Sequence, residues 1–189
     1  MRAHRLKNQL RIIGGRWRGR KLSFLTVPGL RPTPDRVRET LFNWLAPVVP
    51  GSRCLDLYAG SGALGLEAAS RGAARVVMVD HASEVVHALR EQLAGLQASE
   101  VVVIQSDVRE WLRGPSQVFD IVFLDPPFHQ GLLPVTMQLL EANGWLAADA
   151  FVYIEAEKGL QPDLPQGWKI YRSKQAGQVS YQLARRQAD

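Results

Sequence analysis

The fold is indicated most clearly by one stretch of the sequence, Phe119-Asp120-Ile121-Val122-Phe123-Leu124-Asp125-Pro126-Pro127-Phe128. Its apolar part, up to Leu124, has the length and composition of a buried parallel strand, which is typical of α/β proteins. A carboxylate, two prolines and an aromatic ring follow directly, at the strand end where open α/β sheets bind their ligands. We therefore expect a parallel sheet covered by helices, with a site beside Asp125.

The residues Asp125 to Phe128 suit an exocyclic amine on a flat base. Such an amine is a poor nucleophile because its lone pair is delocalised into the ring. The Asp125 carboxylate and the Pro126 carbonyl could accept its N–H hydrogens and stabilise the positive charge that grows as it attacks a methyl donor. Pro126 and Pro127 rigidify the turn, and Phe128 offers a face for a base taken out of its stack. The alternative is an ordinary turn followed by a core phenylalanine.

Composition limits the class of protein. The chain has 189 residues, 46% of them hydrophobic, which suits one domain with a substantial core. It has no apolar stretch of membrane-spanning length, and its single cysteine, Cys54, lies in an apolar run. We expect a cytoplasmic protein without a membrane anchor or disulfide. No group of His, Cys and Asp has metal-ligand spacing, so we expect no metal.

Positive charge is concentrated at the N-terminus. Residues 1–38 hold 11 of the 23 Lys and Arg and one acid, which leaves 12 basic and 17 acidic residues elsewhere. Clustered cations attract phosphates, so this distribution indicates a nucleic-acid binder. The run 11–22 alternates apolar and basic residues around glycines, which predicts a hairpin with exposed arginines after a disordered tail, residues 1 to about 10. The candidate RNA-binding residues are Arg11, Arg16, Trp17, Arg18, Arg20, Arg31 and Arg36.

The predicted hairpin has an alternative interpretation. It could instead be a solvated ribbon, with Trp17 packed on the core. After a proline-punctuated loop, Thr33 or Asp35 can cap a helix over residues 35–45, whose apolar side packs on the sheet. Arg36 and Arg38 are expected to face away from that side.

A second motif indicates a donor site. Residues 53–69 form an apolar strand, the pattern Gly-x-Gly-x-x-Gly (Gly60, Gly62, Gly65) and an Ala/Leu-rich helix. Such glycines let the backbone approach a ligand, but the pattern alone also suits a dinucleotide fold. Asp56, four residues before the first glycine, would repel a pyrophosphate and suits a cationic ligand with an amino group, such as S-adenosylmethionine.

The next two strands end in further acceptors. The strand 75–80 ends in Asp80, which can accept both ribose hydroxyls of an adenosine. Asp107 follows the strand 101–104 and can accept from an adenine amino group, cap the next helix, or do both. The remaining elements complete a seven-stranded doubly wound α/β sheet. They are a helix over 83–96, a helix over 132–140, a strand over 151–155 and an antiparallel pair of strands over 168–173 and 178–183. We expect no helix before strand six.

This arrangement resembles the Rossmann-like Class I S-adenosylmethionine-dependent methyltransferases, in which Asp-Pro-Pro-Phe is the amino-methyltransferase signature. More narrowly, the stretches 11–20, 31–42 and 56–65 are similar to the bacterial RNA small subunit methyltransferase D family. The resemblance implies strand order 3-2-1-4-5-7-6, with the last strand antiparallel. It also implies a 16S rRNA (guanine-N2)-methyltransferase that modifies position 966 in assembled or partly assembled small ribosomal subunits.

The resemblance assigns roles to residues of a single methyltransferase domain. Residues 1–45 would form a basic extension for RNA contact, and residues 46–189 the S-adenosylmethionine-binding catalytic core. Asp125, Pro126, Pro127 and Phe128 would hold the target base. The donor-binding residues would be Asp56, Tyr58, Gly60, Ser61 and Gly62 toward its methionine end, Asp80 and His81 at the ribose, and Asp107 and Val108 at the adenine. A monomer is the default expectation.

Other functions stay open on the residues alone. A nucleic-acid adenine-N6 or cytosine-N4 methyltransferase would use the same acceptor turn, and residue spacing does not separate it from a guanine enzyme. A non-catalytic ribosome assembly factor or a nicotinamide-dependent oxidoreductase could use the same sheet. Asp56 and the acceptor-lined turn count against hydride transfer.

Overall fold

A computed structural model describes residues 7–25 and 33–187 of the chain. Within these ranges it has a two-stranded antiparallel hairpin and a seven-stranded sheet with helices on both faces. The strands are β1 (Lys7–Arg11), β2 (Lys21–Leu25), β3 (Arg53–Leu57), β4 (Arg75–Asp80), β5 (Val101–Gln105), β6 (Phe119–Leu124), β7 (Leu146–Glu157), β8 (Trp168–Ala176) and β9 (Val179–Arg186). The helices are α1 (Asp35–Trp44), α2 (Ala63–Ser70), α3 (Ser83–Leu96), α4 (Val108–Leu112) and α5 (Leu132–Ala142).

The large sheet has the order β5-β4-β3-β6-β7-β9-β8. When its seven strands are numbered from β3 as the first, this order is 3-2-1-4-5-7-6. Strands β3 to β7 are parallel, and β9 runs antiparallel to its neighbours β7 and β8. The predicted doubly wound α/β fold, with the last strand antiparallel, is confirmed.

Each face of the sheet has its own core, which explains the continuous apolar runs of the central strands. Helices α1, α2 and α3 pack on one face, where Cys54 and Ile121 are fully buried. Helices α4 and α5 pack on the other face, against Leu55 and Val122. Because successive side chains of a strand point to opposite faces, both faces of β3 and β6 require apolar residues.

The N-terminal hairpin differs from its prediction. Lys7 to Leu10 belong to β1, so the expected disordered tail is wrong for these residues, while residues 1–6 lie outside the described ranges. The glycine-containing run between β1 and β2 is the connection, closed by a hydrogen bond from the Ile12 N–H to the Arg20 carbonyl (2.9 Å). Buried Leu10 and Phe24 pack together and give β1 and β2 an apolar contact that their basic composition hides.

The hairpin connection is anchored to α2 by Glu67. The buried Glu67 carboxylate accepts from the N–H groups of Ile13 (3.0 Å) and Gly14 (2.7 Å) and pairs with Arg38 (3.3 Å) and Arg71 (2.8 Å). Arg38 is fully buried, so the expectation that it faces away from the core is wrong. A guanidinium can be buried there because Glu67 compensates its charge.

Ser70, one turn further along α2, adds a second anchor. Its hydroxyl accepts from the Trp17 N–H (3.0 Å) and donates to the Gly14 carbonyl (2.6 Å). The Trp17 ring is 6% exposed and packs in the core beneath the hairpin. The alternative with Trp17 on the core is therefore the observed one, and this ring is not a free platform for a base.

The remaining elements follow the sequence patterns closely. Helix α3 has the predicted bounds, and residues 158–167, between β7 and β8, contain no helix. The predicted capping of α1 is wrong: its N-cap is Pro34, with no side-chain cap. Thr33 instead turns its hydroxyl toward the sheet, and Asp35 pairs with Arg38.

Candidate active site

The carboxyl ends of the parallel strands bring several acids to one edge of the sheet. Asp56, in β3, is 2% exposed, and its Oδ2 accepts from the Gly65 N–H (2.8 Å). A side chain at Gly65 would meet Asp56 Oδ2 and Met78 Cγ at 3.0 Å, so this glycine permits close packing of α2 on the strands. Burial, with some repulsion from Asp80, raises the pKa of Asp56 to about 8 against the opposing hydrogen bond from Gly65.

Asp80, at the end of β4, is held by backbone N–H groups. Its two oxygens accept from Gly60 (2.9 Å) and Ala82 (2.9 Å), which fix the carboxylate beside the glycine loop. Each oxygen keeps a lone pair for a further donor such as a ribose hydroxyl. His81 is exposed, with Nδ1 3.7 Å from Asp80.

Gly62 has a packing role that the sequence did not reveal. Its φ is +77°, and a Cβ there would lie 2.6 Å from Leu89 Cδ2 and 2.9 Å from Leu66 Cδ1. The glycine therefore lets the loop turn tightly against α3. Ser61 beside it is buried, so this part of the loop would present mainly backbone groups to a ligand.

Tyr58 connects the glycine loop to α5. It has a left-handed backbone (φ +63°), and its hydroxyl lies 2.7 Å from Thr136 Oγ1. A non-glycine residue held at positive φ stores of order 1 kcal/mol or more, and such residues cluster at functional sites. The second such residue beside this site is His129, directly after Phe128, with φ +62°.

Asp107 caps α4, as one of its two predicted roles requires. Its Oδ1 accepts from the N–H groups of Arg109 (2.8 Å) and Glu110 (3.3 Å), and its Oδ2 from the Arg109 guanidinium (2.9 Å). The Arg109 side chain and these N–H groups lower the pKa of Asp107 to about 2 despite partial desolvation. Val108 is buried in the core.

The Asp125 carboxyl lies beside a second acid, Glu155. The pairing of Leu124 with Ile154 places Asp125, directly after β6, beside Glu155, near the end of β7. The Thr33 hydroxyl lies 3.5 Å from Asp125 Oδ2 and 3.4 Å from Glu155 Oε2. Since it has one hydrogen, it donates to one of them at a time. Tyr153 also donates to Glu155 Oε2 (2.9 Å).

Both carboxyl groups are perturbed. Burial, then the charges of Glu155 and Asp56, raise the pKa of Asp125 well above its usual range, while the Thr33 hydroxyl opposes the shift. Burial also raises the pKa of Glu155, against hydrogen bonds from Tyr153 and Thr33. Sequence reasoning did not select Glu155; the signal was its place as the last residue of the predicted strand 151–155.

The rest of the turn surrounds this pair. Pro126 is buried, Pro127 is exposed and Phe128 is partly exposed, so a face of its ring is available. The His129 ring meets Phe128 edge-on at 6.4 Å, and His129 Nδ1 lies 3.4 Å from Glu157.

These residues fit S-adenosylmethionine as a set of acceptors. Asp56 and Asp80 line the glycine loop, and Asp107 follows the next strand, which matches the amino, hydroxyl and amine donors of that molecule.

In the described part of the chain, no three or more His, Cys, Asp or Glu are grouped as a metal site. No helix within those same ranges is long and apolar enough to cross a membrane.

The candidate RNA-binding residues have mixed surroundings. Arg11, Arg18, Arg20 and Arg36 are exposed, whereas Arg31 lies outside the described ranges. Arg16 is half-exposed, forms an ion pair with Glu100 and lies 4.2 Å above the Trp17 ring. Arg16 is thus partly engaged within the protein.

The doubly wound sheet, the glycine loop with its acids and the Asp-Pro-Pro-Phe turn define a Class I methyltransferase. A family model described as "Conserved hypothetical protein 95" matches residues 10–185. The Escherichia coli K12 protein "Ribosomal RNA small subunit methyltransferase D" is 52% identical over 187 residues, covering 98% of this chain and 94% of the relative. Its Haemophilus influenzae namesake is 45% identical over 181 residues, covering 94% of each. The chain belongs to the ribosomal RNA small subunit methyltransferase D family.

Solved structures agree with this assignment. A putative methyltransferase from Escherichia coli, yhhF, has TM-score 0.89 and 52% identity and covers 96% of this chain and 100% of its own. A Thermus thermophilus 16S rRNA N2 G1207 methyltransferase has TM-score 0.69 and 24% identity over 96% of this chain and 50% of its own, which reflects the shared fold. The chain is an S-adenosylmethionine-dependent methyltransferase of small-subunit ribosomal RNA.

Proposed function

We propose that the chain methylates the exocyclic N2 of one guanine, at position 966 of 16S rRNA, in assembled or partly assembled small subunits. The proposal rests on the hydrogen-bond acceptors that lie together directly after β6. There the Asp125 carboxyl lies beside Glu155 and within electrostatic reach of Asp56 in the neighbouring strand β3. Family membership supports the ribosomal substrate.

The donor site in this proposal consists of the residues that the sequence selected. S-adenosylmethionine supplies a methyl group on a positively charged sulfur. The buried Asp56, with no compensating cation among the described residues, favours that charge. The proposed contacts are Asp56, Tyr58, Gly60, Ser61 and Gly62 toward the methionine end, Asp80 and His81 at the ribose, and Asp107 and Val108 at the adenine.

The target base is held by Asp125, the Pro126 carbonyl and Phe128. Asp125 and Pro126 accept the two N2 hydrogens and aim the nitrogen lone pair at the methyl group, while the base lies on the Phe128 ring. As the C–N bond forms, the bond between the methyl group and the donor sulfur breaks and leaves a neutral thioether, while the nitrogen becomes cationic and must lose a proton. The Asp125 carboxylate accepts it, since its raised pKa brings it closer to that of a general base working near neutral pH.

RNA docks on the exposed cations of the N-terminal hairpin and α1. Arg11, Arg18, Arg20 and Arg36 contact phosphates in this proposal, as does Arg31, which lies outside the described ranges. Arg16 contributes less because of its ion pair with Glu100. The docking of the hairpin on α2 fixes the hairpin cations relative to the catalytic core. Because one chain provides both surfaces, we propose a monomer.

Mass mapping of modified nucleosides tests the proposal. Small-subunit RNA from cells without this gene is expected to lack N2-methylguanosine at one site. Purified protein and S-adenosylmethionine are expected to restore it on subunits from those cells. A missing N6-methyladenosine or N4-methylcytidine would identify the other amine substrates instead. An unchanged methylation map would favour a non-catalytic assembly role.

A further inference from the structure

The acid pair formed by Asp125, directly after β6, and Glu155, near the end of β7, offers more acceptors than the amine needs. Glu155 Oε2 receives the hydrogen bond from Tyr153 (2.9 Å) and lies 3.4 Å from the Thr33 hydroxyl. Its Oε1 accepts no hydrogen bond from the described residues, and neither does Asp125 Oδ1. Glu155 is 5% exposed, and Oε1 is not one of the fully enclosed atoms without a partner, so this oxygen is open to a donor from outside the described residues.

The two open oxygens belong to neighbouring groups. Leu124 pairs with Ile154, so Asp125 and Glu155 occupy the same row of the sheet, one strand apart. The Thr33 hydroxyl, within 3.5 Å of both carboxyl groups, keeps them facing one region. A substrate with two adjacent donors can therefore satisfy both acids at once.

Guanine is the nucleobase amine that presents such an edge. Its N1–H lies next to the N2 amine on the Watson–Crick edge, and both are donors. In adenine and cytosine, the ring nitrogen beside the exocyclic amine is an acceptor. That nitrogen would set its lone pair against the Glu155 carboxylate, which costs free energy in a buried site. Burial raises the pKa of Glu155, whereas the hydrogen bonds from Tyr153 and Thr33 oppose that shift and favour the ionised, acceptor-only form.

We propose that Glu155 selects guanine by accepting the N1–H through Oε1, while Asp125 and the Pro126 carbonyl hold the N2 amine. This inference rests on the proposed function and names the residue that separates guanine from the other amine substrates. Thr33 and Tyr153 are positioning residues that hold Glu155.

The test compares guanine with 2-aminopurine at the target position. 2-Aminopurine keeps the N2 amine but has a bare acceptor at N1. Small subunits are reconstituted from 16S rRNA joined from pieces that carry one or the other base, and kcat/KM for methyl transfer is measured on each. The wild-type protein is expected to prefer guanine by about 10- to 100-fold, the effect of one buried polar mismatch.

Two variants relate that preference to Glu155. Glu155→Gln can turn its amide N–H toward the bare N1, so the preference for guanine is expected to shrink about tenfold. Glu155→Asp keeps a carboxylate and is expected to keep the preference at a lower rate. Asp149→Asn removes the same charge from an exposed position of the same strand, and the ratio between the two bases is expected to stay at the wild-type value.

The outcomes separate the inference from the function on which it rests. Equal wild-type rates on both bases would overturn the role of Glu155, even if Glu155→Gln did not fold. So would a ratio that is the same in wild type and Glu155→Gln. Either result leaves the proposed function standing if guanine subunits are methylated at N2. No methylation of guanine subunits by the wild type would overturn the proposed function itself.

Discussion

At the residue scale, the site consists of acids without matching cations. Burial raises the pKa of Asp56, Asp125 and Glu155, and no lysine or arginine of the described residues compensates them. The contrasting case is Asp107, which Arg109 keeps ionised with a pKa of about 2. Carboxyl groups without a neighbouring cation favour ligands that are positively charged. A sulfonium methyl donor has such a charge, and the target amine acquires one during the reaction.

Donor binding should depend on pH through Asp56. Its pKa of about 8 means that the carboxyl is largely protonated at neutral pH in the free protein, and a bound cation favours the ionised form. Binding should therefore release a proton, and affinity should rise with pH until it levels above about 8. Calorimetry in two buffers of different ionisation enthalpy measures the release. Asp56→Asn should remove it, and proton release undiminished in that variant would contradict the assignment.

The sequence predicted the main acceptors but missed their neighbours for a physical reason. Asp56, Asp80 and Asp125 each lie at or near the end of an apolar strand, so a local pattern indicates them. Thr33 and Glu155 meet across 122 positions, and only the assembled sheet brings them together. Arg38 was assigned to the wrong side of its helix because its partner Glu67 lies 29 residues later.

At the element scale, the hairpin connection and α2 form one unit. Glu67 satisfies two hairpin N–H groups and two arginines, and Ser70 adds two hydrogen bonds.

Helix α3 was predicted correctly because its apolar residues recur at helical spacing within the helix itself. Strand β1 was not, because its apolar support comes from residues distant in sequence: Leu10 packs with Phe24 on the other strand and with Ala63 of α2.

Glu67→Gln should destabilise this unit. The substitution keeps the shape but leaves Arg38, whose side chain is fully buried, without its buried counter-charge. The free energy of unfolding should fall by about 3–5 kcal/mol, measured by urea denaturation. Glu110→Gln makes the same change on the exposed side of α4 and should cost under about 0.5 kcal/mol. Similar losses in the two variants would contradict the anchor.

At the scale of the whole molecule, charge is divided between a basic arm and an acidic site. The net charge is +5, although residues 39–189 hold more acids than bases. In the proposed function, phosphates are drawn to the hairpin and α1, while the acids at the strand ends remain for the donor and the base. The two functions are separated in space but fixed to each other through α2.

RNA affinity should depend on salt through the exposed hairpin arginines. Arg18→Gln with Arg20→Gln should weaken subunit binding and reduce the slope of log K against log salt by about 1–2, since each phosphate contact contributes about 0.7–0.9. Filter binding at several salt concentrations measures the slope. Arg75→Gln with Arg113→Gln removes the same charge from exposed positions of the catalytic core and should change the slope less. Equal slopes for the two double variants would exclude the hairpin as the RNA contact.

Single-turnover methyl transfer by Asp125→Ala tests the central idea, that acceptor oxygens after β6 activate a ring-attached amine. Donor affinity, measured by calorimetry, should stay within about threefold of wild type because Asp56 and Asp80 remain. The transfer rate on small subunits should fall by about 100- to 1,000-fold, the usual loss when one group that stabilises developing charge is removed. A rate within about tenfold of wild type would contradict the account.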